Sequence, residues 1–218
     1  LAIEPDHADA HWNTSFVLLA LGRFQEGWQR YEWRWKRTGA PKGRTSQRPV
    51  WLGQQSLHGK TILLWGEQGL GDQIQFARYA AVLARQGVRV ILEVDPPLVE
   101  LLRGLDDSVR VVSKTTPVSD VEFDVHCPLM SVPLARRTEA STIPLPSRFA
   151  SHRGDVARWA TILGDKPCRI GIAWSGSASN KANHLRSMPL EKFSSIMDST
   201  IEWITLQKEI RPADKVTM

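Results

Sequence analysis

Residues 61–76, Thr61-Ile-Leu-Leu-Trp-Gly-Glu-Gln-Gly-Leu-Gly-Asp-Gln-Ile-Gln-Phe76, decide the fold. A short apolar strand ends at Trp65. A turn follows with Gly66, Gly69 and Gly71, and Asp72 stands at the start of an apolar-periodic helix. A strand that passes through a glycine-rich turn into a helix is the opening unit of an α/β sheet, and such sheets keep ligands where strand ends give way to helix starts. A helix N-terminus carries about half a positive charge and exposes unpaired N–H groups, so it draws anions. Here the chain supplies its own anion in Asp72, and a phosphate at the same place would meet like charge. The spacing G-x-x-G-x-G-D also departs from the dinucleotide fingerprint G-x-G-x-x-G, which sets a nicotinamide or flavin cofactor aside. Two readings of Asp72 stay open: a helix cap, which needs only local geometry, and an acid–base group acting on a hydroxyl. Glu67 either shares in proton handling or ties down the turn, and Gln73 and Gln75 sit at the helix start as polar surface or acceptor contacts.

Downstream, strand and helix alternate. The pattern predicts a helix over Gln73–Gln86, a strand over Val88–Val94, and a helix from Leu98 to Arg103 opened by Pro96-Pro97. Short strands follow at Val109–Val112 and Phe123–His126, then a helical segment at Leu129–Arg136. Such alternation predicts a parallel sheet covered on both faces, here over residues 59–146. His126 and Cys127, at a strand end, fit the core better than a site. Residues 147–168, with Pro167 and a helix near Val156–Leu163, read as an interdomain connection. A second α/β unit opens at 169–218 with a strand at Arg169–Trp174 and a polar loop over Ser175–Ser187. A helix near Pro189 and a strand at Ile201–Leu206 follow. This second loop has the opposite chemistry. Ser175, Gly176, Ser177 and Ser187 offer hydroxyls and backbone N–H groups, Lys181 and Arg186 add positive charge, and all precede a helix start, which suits phosphate. The competing reading is a solvated loop whose Ser187 caps the helix.

Upstream, residues 38–58 read as a linker rich in Gly and Pro, with a basic cluster of Lys42, Arg44 and Arg48 following Lys36 and Arg37. It lacks the aromatic interleaving of a single-strand nucleic-acid surface, so a solvated loop is the favoured reading and nucleic acid is not an expected partner. Residues 6–37 read as a helical hairpin. Asp6 caps the first helix; Ala8, Ala10, Phe16, Val17, Leu18 and Leu21 form its apolar face; Gly22 ends it. Trp28, Tyr31 and Trp35 form a buried stripe on the second helix.

The 218 residues are 42% hydrophobic and 23% charged with a net charge of +5, the balance of a globular domain with a weak preference for anionic partners. Nine tryptophans crowd toward the N-terminal quarter, and packing explains them better than carbohydrate stacking. Two distant cysteines predict reduced thiols and a cytoplasmic setting. His58, His152 and His184 lack ligand spacing, so no metal is expected. No run reaches the roughly 20 apolar residues of a membrane span. The first residue is not Met and the chain stops soon after a strand-like run, which reads as a fragment of a longer product.

Two resemblances bear on function. Pro5, Ala8, Asn13, Leu18, Leu21, Gly22, Arg23, Phe24, Glu26 and Tyr31 resemble one tetratricopeptide repeat, with Gly27 where such repeats usually place Ala. The resemblance implies a surface for a protein partner, not a reaction. The Gly66–Ala77 loop-helix with its Gly71-Asp72 pair, and the Gly171-Ile-Ala-Trp-Ser-Gly176 strand-loop, resemble the ADP-heptose:lipopolysaccharide heptosyltransferases of glycosyltransferase family 9. The whole chain looks like bacterial proteins that fuse such repeats to a heptosyltransferase-like region. This implies a GT-B fold of two Rossmann-like domains, 59–146 on the acceptor side and 169–218 the incomplete donor side. It implies inverting transfer from a nucleotide-diphosphate sugar to a saccharide or protein acceptor hydroxyl, with no metal or cofactor. Asp72 matches the family's base, and Gly66, Glu67, Gln68, Gly69, Gly71 and Gln73 form the acceptor-side loop. Ser175, Gly176, Ser177, Lys181, Arg186 and Ser187 fall to the donor phosphates. Asn180, Ala182 and Asn183 depart from the His and Asn-Asp pair expected in that loop, and the later part of the second domain is missing, so the chain as given is expected to be inactive. The alternative is a non-catalytic tetratricopeptide-type interaction scaffold.

Overall fold

The structure is a computed structural model that describes residues 3–40, 42–116, 118–146, 149, 153–166, 168–176 and 182–216. It divides into two compact units, Leu1–Ala150 and Ser151–Met218.

The first unit is an α/β body built on a four-stranded parallel sheet. Its strands are β1 (Thr61–Trp65), β2 (Arg89–Val94), β3 (Val109–Ser113) and β4 (Val125–Pro128), in the order β3-β2-β1-β4. The register runs from Thr61 opposite Arg89 to Trp65 opposite Glu93, and from Ile62 opposite Val125 to Trp65 opposite Pro128. A parallel strand covered on both faces reads as an unbroken apolar run, and Ile62, Leu63 and Leu64 are each fully buried. Ile62 and Leu64 point into the main core with Val90, Leu92 and Val94. Leu63 and Ile91 face a smaller cluster closed by Val118 and Phe123. Strand β4 starts two residues later than expected. Asp124 is not part of the ladder; its carboxylate accepts the Thr61 N–H at 2.7 Å.

Helices α3 (Leu70–Phe76) and α4 (Arg78–Arg85) replace the single expected helix, with Ala77 between them still in the right-handed helical region. A 3-10 turn over Pro96–Leu98 leads into α5 (Val99–Arg103), and another over Leu129–Ser131 into α6 (Val132–Ala135). The hairpin is present as α1 (Ala8–Ala20) and α2 (Phe24–Tyr31), continued by a 3-10 segment over Glu32–Lys36. Its turn closes on Gly22 at φ +77°, with the Gly22 N–H on the Leu19 carbonyl and the Arg23 N–H on that of Leu18, the paired bonds of a Schellman cap. The first helix is capped by His7, whose Nδ1 accepts the Ala10 N–H at 3.2 Å, rather than by Asp6. Asp6 lies in the preceding turn, one residue too early.

The hairpin shares the sheet's core. Tyr31 is buried there, with Trp12 and Trp28 packed against it, and Trp28 meets the Phe76 ring edge-on at 5.8 Å. Of the apolar face expected on α1, Leu18 is buried, whereas Phe16, Val17 and Leu21 are 48%, 58% and 70% exposed. Residues 38–58 also pack on the sheet. Val50 bridges His126 in parallel, and Arg44 forms an ion pair with Glu93 at 2.7 Å.

The second unit holds α7 (Arg153–Leu163) and a parallel pair, β5 (Arg169–Ile172) with β6 (Glu202–Thr205). Arg169 pairs with Glu202 across it at 2.7 Å. The helix expected from Pro189 is a single 3-10 turn, Leu190–Phe193, so it supplies no macrodipole of consequence to the preceding loop.

Two glycines separate strain from sterics. Gly22 has open space where a Cβ would stand, whereas at Gly53, φ +90°, a Cβ would run into the Ala135 carbonyl oxygen. Gly22→Ala is expected to cost about 1–2 kcal/mol from the left-handed backbone alone. Gly53→Ala adds a backbone clash and is expected to cost clearly more. Urea unfolding midpoints of the two variants check the order.

Candidate functional site

The loop after β1 splits into a buried and an exposed half. Gly66 and Glu67 are buried, Gln68, Gly69 and Gly71 are exposed, and Asp72 is half-buried. Gln68 takes a left-handed backbone at φ 61°. Asp72 is the third residue of α3, and its Oδ2 accepts the Gly69 N–H at 3.0 Å. The carboxylate therefore caps its own helix through one oxygen, and Oδ1 accepts no bond among the described residues.

Gln73, read from the sequence as polar surface or an acceptor contact, is fully buried. Its Oε1 accepts the Asp95 N–H at 3.0 Å and its amide N–H binds the Asp95 carboxylate. It thus ties α3 to the end of β2 and cannot touch a substrate. Gly66 is what makes room for it, since a Cβ there would meet the Gln73 side-chain oxygen.

Glu67 ties down the turn. Arg34, only 2% exposed, comes in from the 3-10 segment of the hairpin and grips it with a two-pronged ion pair, Nε to Oε2 at 3.0 Å and Nη2 to Oε1 at 2.7 Å. The same guanidinium donates from Nη2 to Ser131 Oγ at 2.6 Å, and from Nη1 to Glu32 Oε1 at 2.6 Å and the Tyr31 carbonyl at 3.3 Å. All five of its N–H groups are used. Burial pushes the Glu67 carboxyl above its ordinary range, and the guanidinium opposes that rise. The sequence reading did not single out Arg34 or Ser131. The available signal was a charge three residues beyond Tyr31 on an aromatic stripe, a buried position that a charge occupies only with a partner.

In the second unit, β5 leads to a concave surface of about 510 Å³ lined in part by Trp174, Ser175, Gly176, Arg186 and Ser187. Ser177 and Lys181 lie outside the described residues. The backbone donors at Ser175 and Gly176 are already in use. Gln207 Oε1 accepts the Trp174 and Ser175 N–H groups at 3.2 and 3.1 Å, and Ser187 Oγ accepts that of Gly176 at 3.2 Å. Ser187 in turn donates to Asn183 Oδ1 at 2.6 Å, so it braces the loop and caps no helix. A Cβ on Gly176 would press on Asn183 and Arg186, so this glycine lets the Arg186 side chain approach the strand end. The Ser175 hydroxyl is buried without a partner among the described residues. Behind the loop, buried Asp214 accepts from Trp174 Nε1 at 2.9 Å, the Leu190 N–H at 3.0 Å and Arg211 at 2.7 Å. These bonds, the Arg211 one foremost, pull its carboxyl from 3.8 to about 2.

His126 and Cys127 are core residues. His126 is buried with Nδ1 accepting the Trp65 indole N–H at 3.1 Å, and burial lowers its basicity; burial likewise pushes the Cys127 thiol up. Among the described residues no three His, Cys, Asp or Glu side chains gather as metal ligands, and no helix is long and apolar enough to cross a membrane.

No family model and no solved structure matches the chain. A stretch of 61 residues is 43% identical to Protein FlbA of Caulobacter vibrioides, covering 28% of this chain. The match spans about a tenth of FlbA, 10% of its length. The likeness is local and leaves the α/β site to be argued from its own geometry.

The Asp214 clamp has a pH signature. A carboxylate depressed in the folded state adds stability above its unfolded value and loses it as the pH falls through the folded one. As the pH falls from about 4 to below about 2, the Trp174 indole N–H resonance is expected to lose its hydrogen-bonded shift, with a midpoint near 2, as Asp214 protonates. An unchanged Trp174 signal across that window would remove the clamp.

Proposed function

We propose that the chain is the acceptor-side part, with the start of the donor-side part, of a GT-B glycosyltransferase similar to the heptosyltransferases of family 9, preceded by a tetratricopeptide-like hairpin. The observation that carries the reading is Asp72. It stands on the loop after the first strand of a parallel sheet, half-buried, with Oδ2 held by Gly69 and Oδ1 accepting no bond among the described residues. A carboxylate fixed by one oxygen can take a hydroxyl proton with the other, an effect worth about 10²–10⁴ in rate.

On this reading, Gln68, Gly69 and Gly71 form the rim that meets the acceptor, a saccharide or protein hydroxyl, while Gly66, Glu67 and Gln73 hold the rim from beneath. The donor is a nucleotide-diphosphate sugar. Arg186 and the Ser175 hydroxyl are the groups in the second loop left to meet its phosphates, with Ser177 and Lys181 as further contacts; Gly176 gives Arg186 its approach, and Ser187 braces the loop. Charge building on the leaving diphosphate would be met by Arg186 and Lys181. No metal or cofactor takes part, transfer inverts the sugar, and a bacterial cytoplasm is the setting.

The second reading is a non-catalytic interaction scaffold. It is favoured by one observation, the exposed apolar residues Phe16, Val17 and Leu21 on α1, which suit a protein partner.

Asp72→Asn separates the two. Asparagine can still cap through its side-chain oxygen, so the fold is expected to persist. In a chain extended to a full second domain, transfer from nucleoside-diphosphate sugars should fall by about 10²-fold or more. Transfer at the wild-type rate would remove Asp72 as the base.

A further inference from the structure

We infer that Arg34, a hairpin residue, is a positioning residue for the Asp72 loop, acting from the crevice between the carboxyl ends of β1 and β4. Where the strand order reverses, the loops of an open α/β sheet part and leave room for a ligand. In the order β3-β2-β1-β4 that point lies between β1 and β4. The loop leaving β1 brings Glu67, the turn leaving β4 brings Ser131, and both bind one guanidinium. The chain's own side chain thus fills the place a ligand would take, and the open part of this site is the rim over Gln68–Gly71.

The route to Asp72 is short and mechanical. Gln68 sits in the left-handed region, where a residue with a Cβ is strained, and such a conformation persists only when its flanks over-determine it. One flank is Glu67, fixed by Arg34. The other is Gly69, whose N–H is fixed on Asp72 Oδ2 at 3.0 Å. Loosening the first flank lets Gln68 relax toward ordinary backbone angles, which turns the Gly69 N–H away from the carboxylate. A lysine cannot replace the arginine. It carries the charge but not the planar fork that reaches two strand-end loops at once.

Amide hydrogen exchange on the intact chain tests this without any sugar transfer. Arg34→Lys is expected to speed exchange at Gly69 by about tenfold while Leu92 and Val94, in the β2 core, change by less than about twofold. Glu67→Gln keeps the shape of the partner but strands the Arg34 charge; it is expected to speed Gly69 by about tenfold beyond any acceleration shared by Leu92 and Val94, and it decides the matter should the lysine variant fail to fold. Equal acceleration at all three amides, or none at Gly69, overturns the inference. The catalytic meaning of the positioning rests on the transferase reading, but its failure is distinguishable. If Asp72→Asn leaves transfer intact while Arg34→Lys still frees Gly69, the positioning stands and the base assignment falls.

Discussion

The first unit depends on a buried ion pair between parts of the chain 33 residues apart, Arg34 and Glu67. Burying two opposite charges gains little by itself, because desolvation offsets most of their attraction. The consequence lies in the asymmetry. Once both groups are buried, loss of either leaves a charge stranded in the core, at a cost of about 3–5 kcal/mol. Arg34 therefore acts less as an adhesive than as a constraint on arrangement. The hairpin, the loop after β1 and the turn after β4 can meet in one register only, the one in which five N–H groups find five acceptors. The rings of Tyr31 and Trp35, with the guanidinium carbon 4.6 and 4.5 Å from their centroids, hold its plane in place.

That constraint explains which parts of the molecule could be read from its residues. Strand β1 announces itself, since Ile62, Leu63 and Leu64 are apolar in succession and only a strand covered on both faces needs that. The parallel order follows from helices between strands, and Gly22 marks the end of α1 because its left-handed angle suits little else. The failures share a cause. Gln73 looks like surface because glutamine is usually exposed, yet it is fully buried with its amide satisfied by the backbone and carboxylate of half-buried Asp95, 22 residues away. Residues 38–58 look like a linker by composition, yet Arg44 and Val50 are held by partners at Glu93 and His126, far along the sequence. The expected helix at Pro189 is one turn, whose first N–H, that of Leu190, is held by Asp214 from 24 residues away. Local pattern carries propensity; pairing over long sequence separation does not show in it.

The two loops were read as opposites, one acidic and one cationic, and the contrast becomes sharper at atomic level. Each is braced by a side chain from elsewhere, the first by Arg34 binding Glu67 and the second by Gln207 binding Ser175. In the second loop Gln207 takes the Ser175 backbone donor and Ser187 takes that of Gly176, and among the described residues no helix of consequence points at it. Among the described residues, what remains for an anion is side-chain chemistry, Arg186 and a hydroxyl, so electrostatic attraction there would be sensitive to salt in a way that a backbone cradle is not.

Capping and catalysis need not compete for Asp72. A cap uses one carboxylate oxygen, and here it is Oδ2 on Gly69. A general base needs a carboxylate that is oriented, ionised and reachable through a second oxygen. The cap supplies the orientation, and it leaves Oδ1 without a bond among the described residues. A freely rotating aspartate on the same loop would have to freeze its side chain for each proton transfer. This one is already fixed by the bond that completes the first turn of α3, and Gly71, with open space where a Cβ would stand, adds no side chain beside it. The feature that first looks like a purely structural alternative is the one that would make the acid–base role efficient.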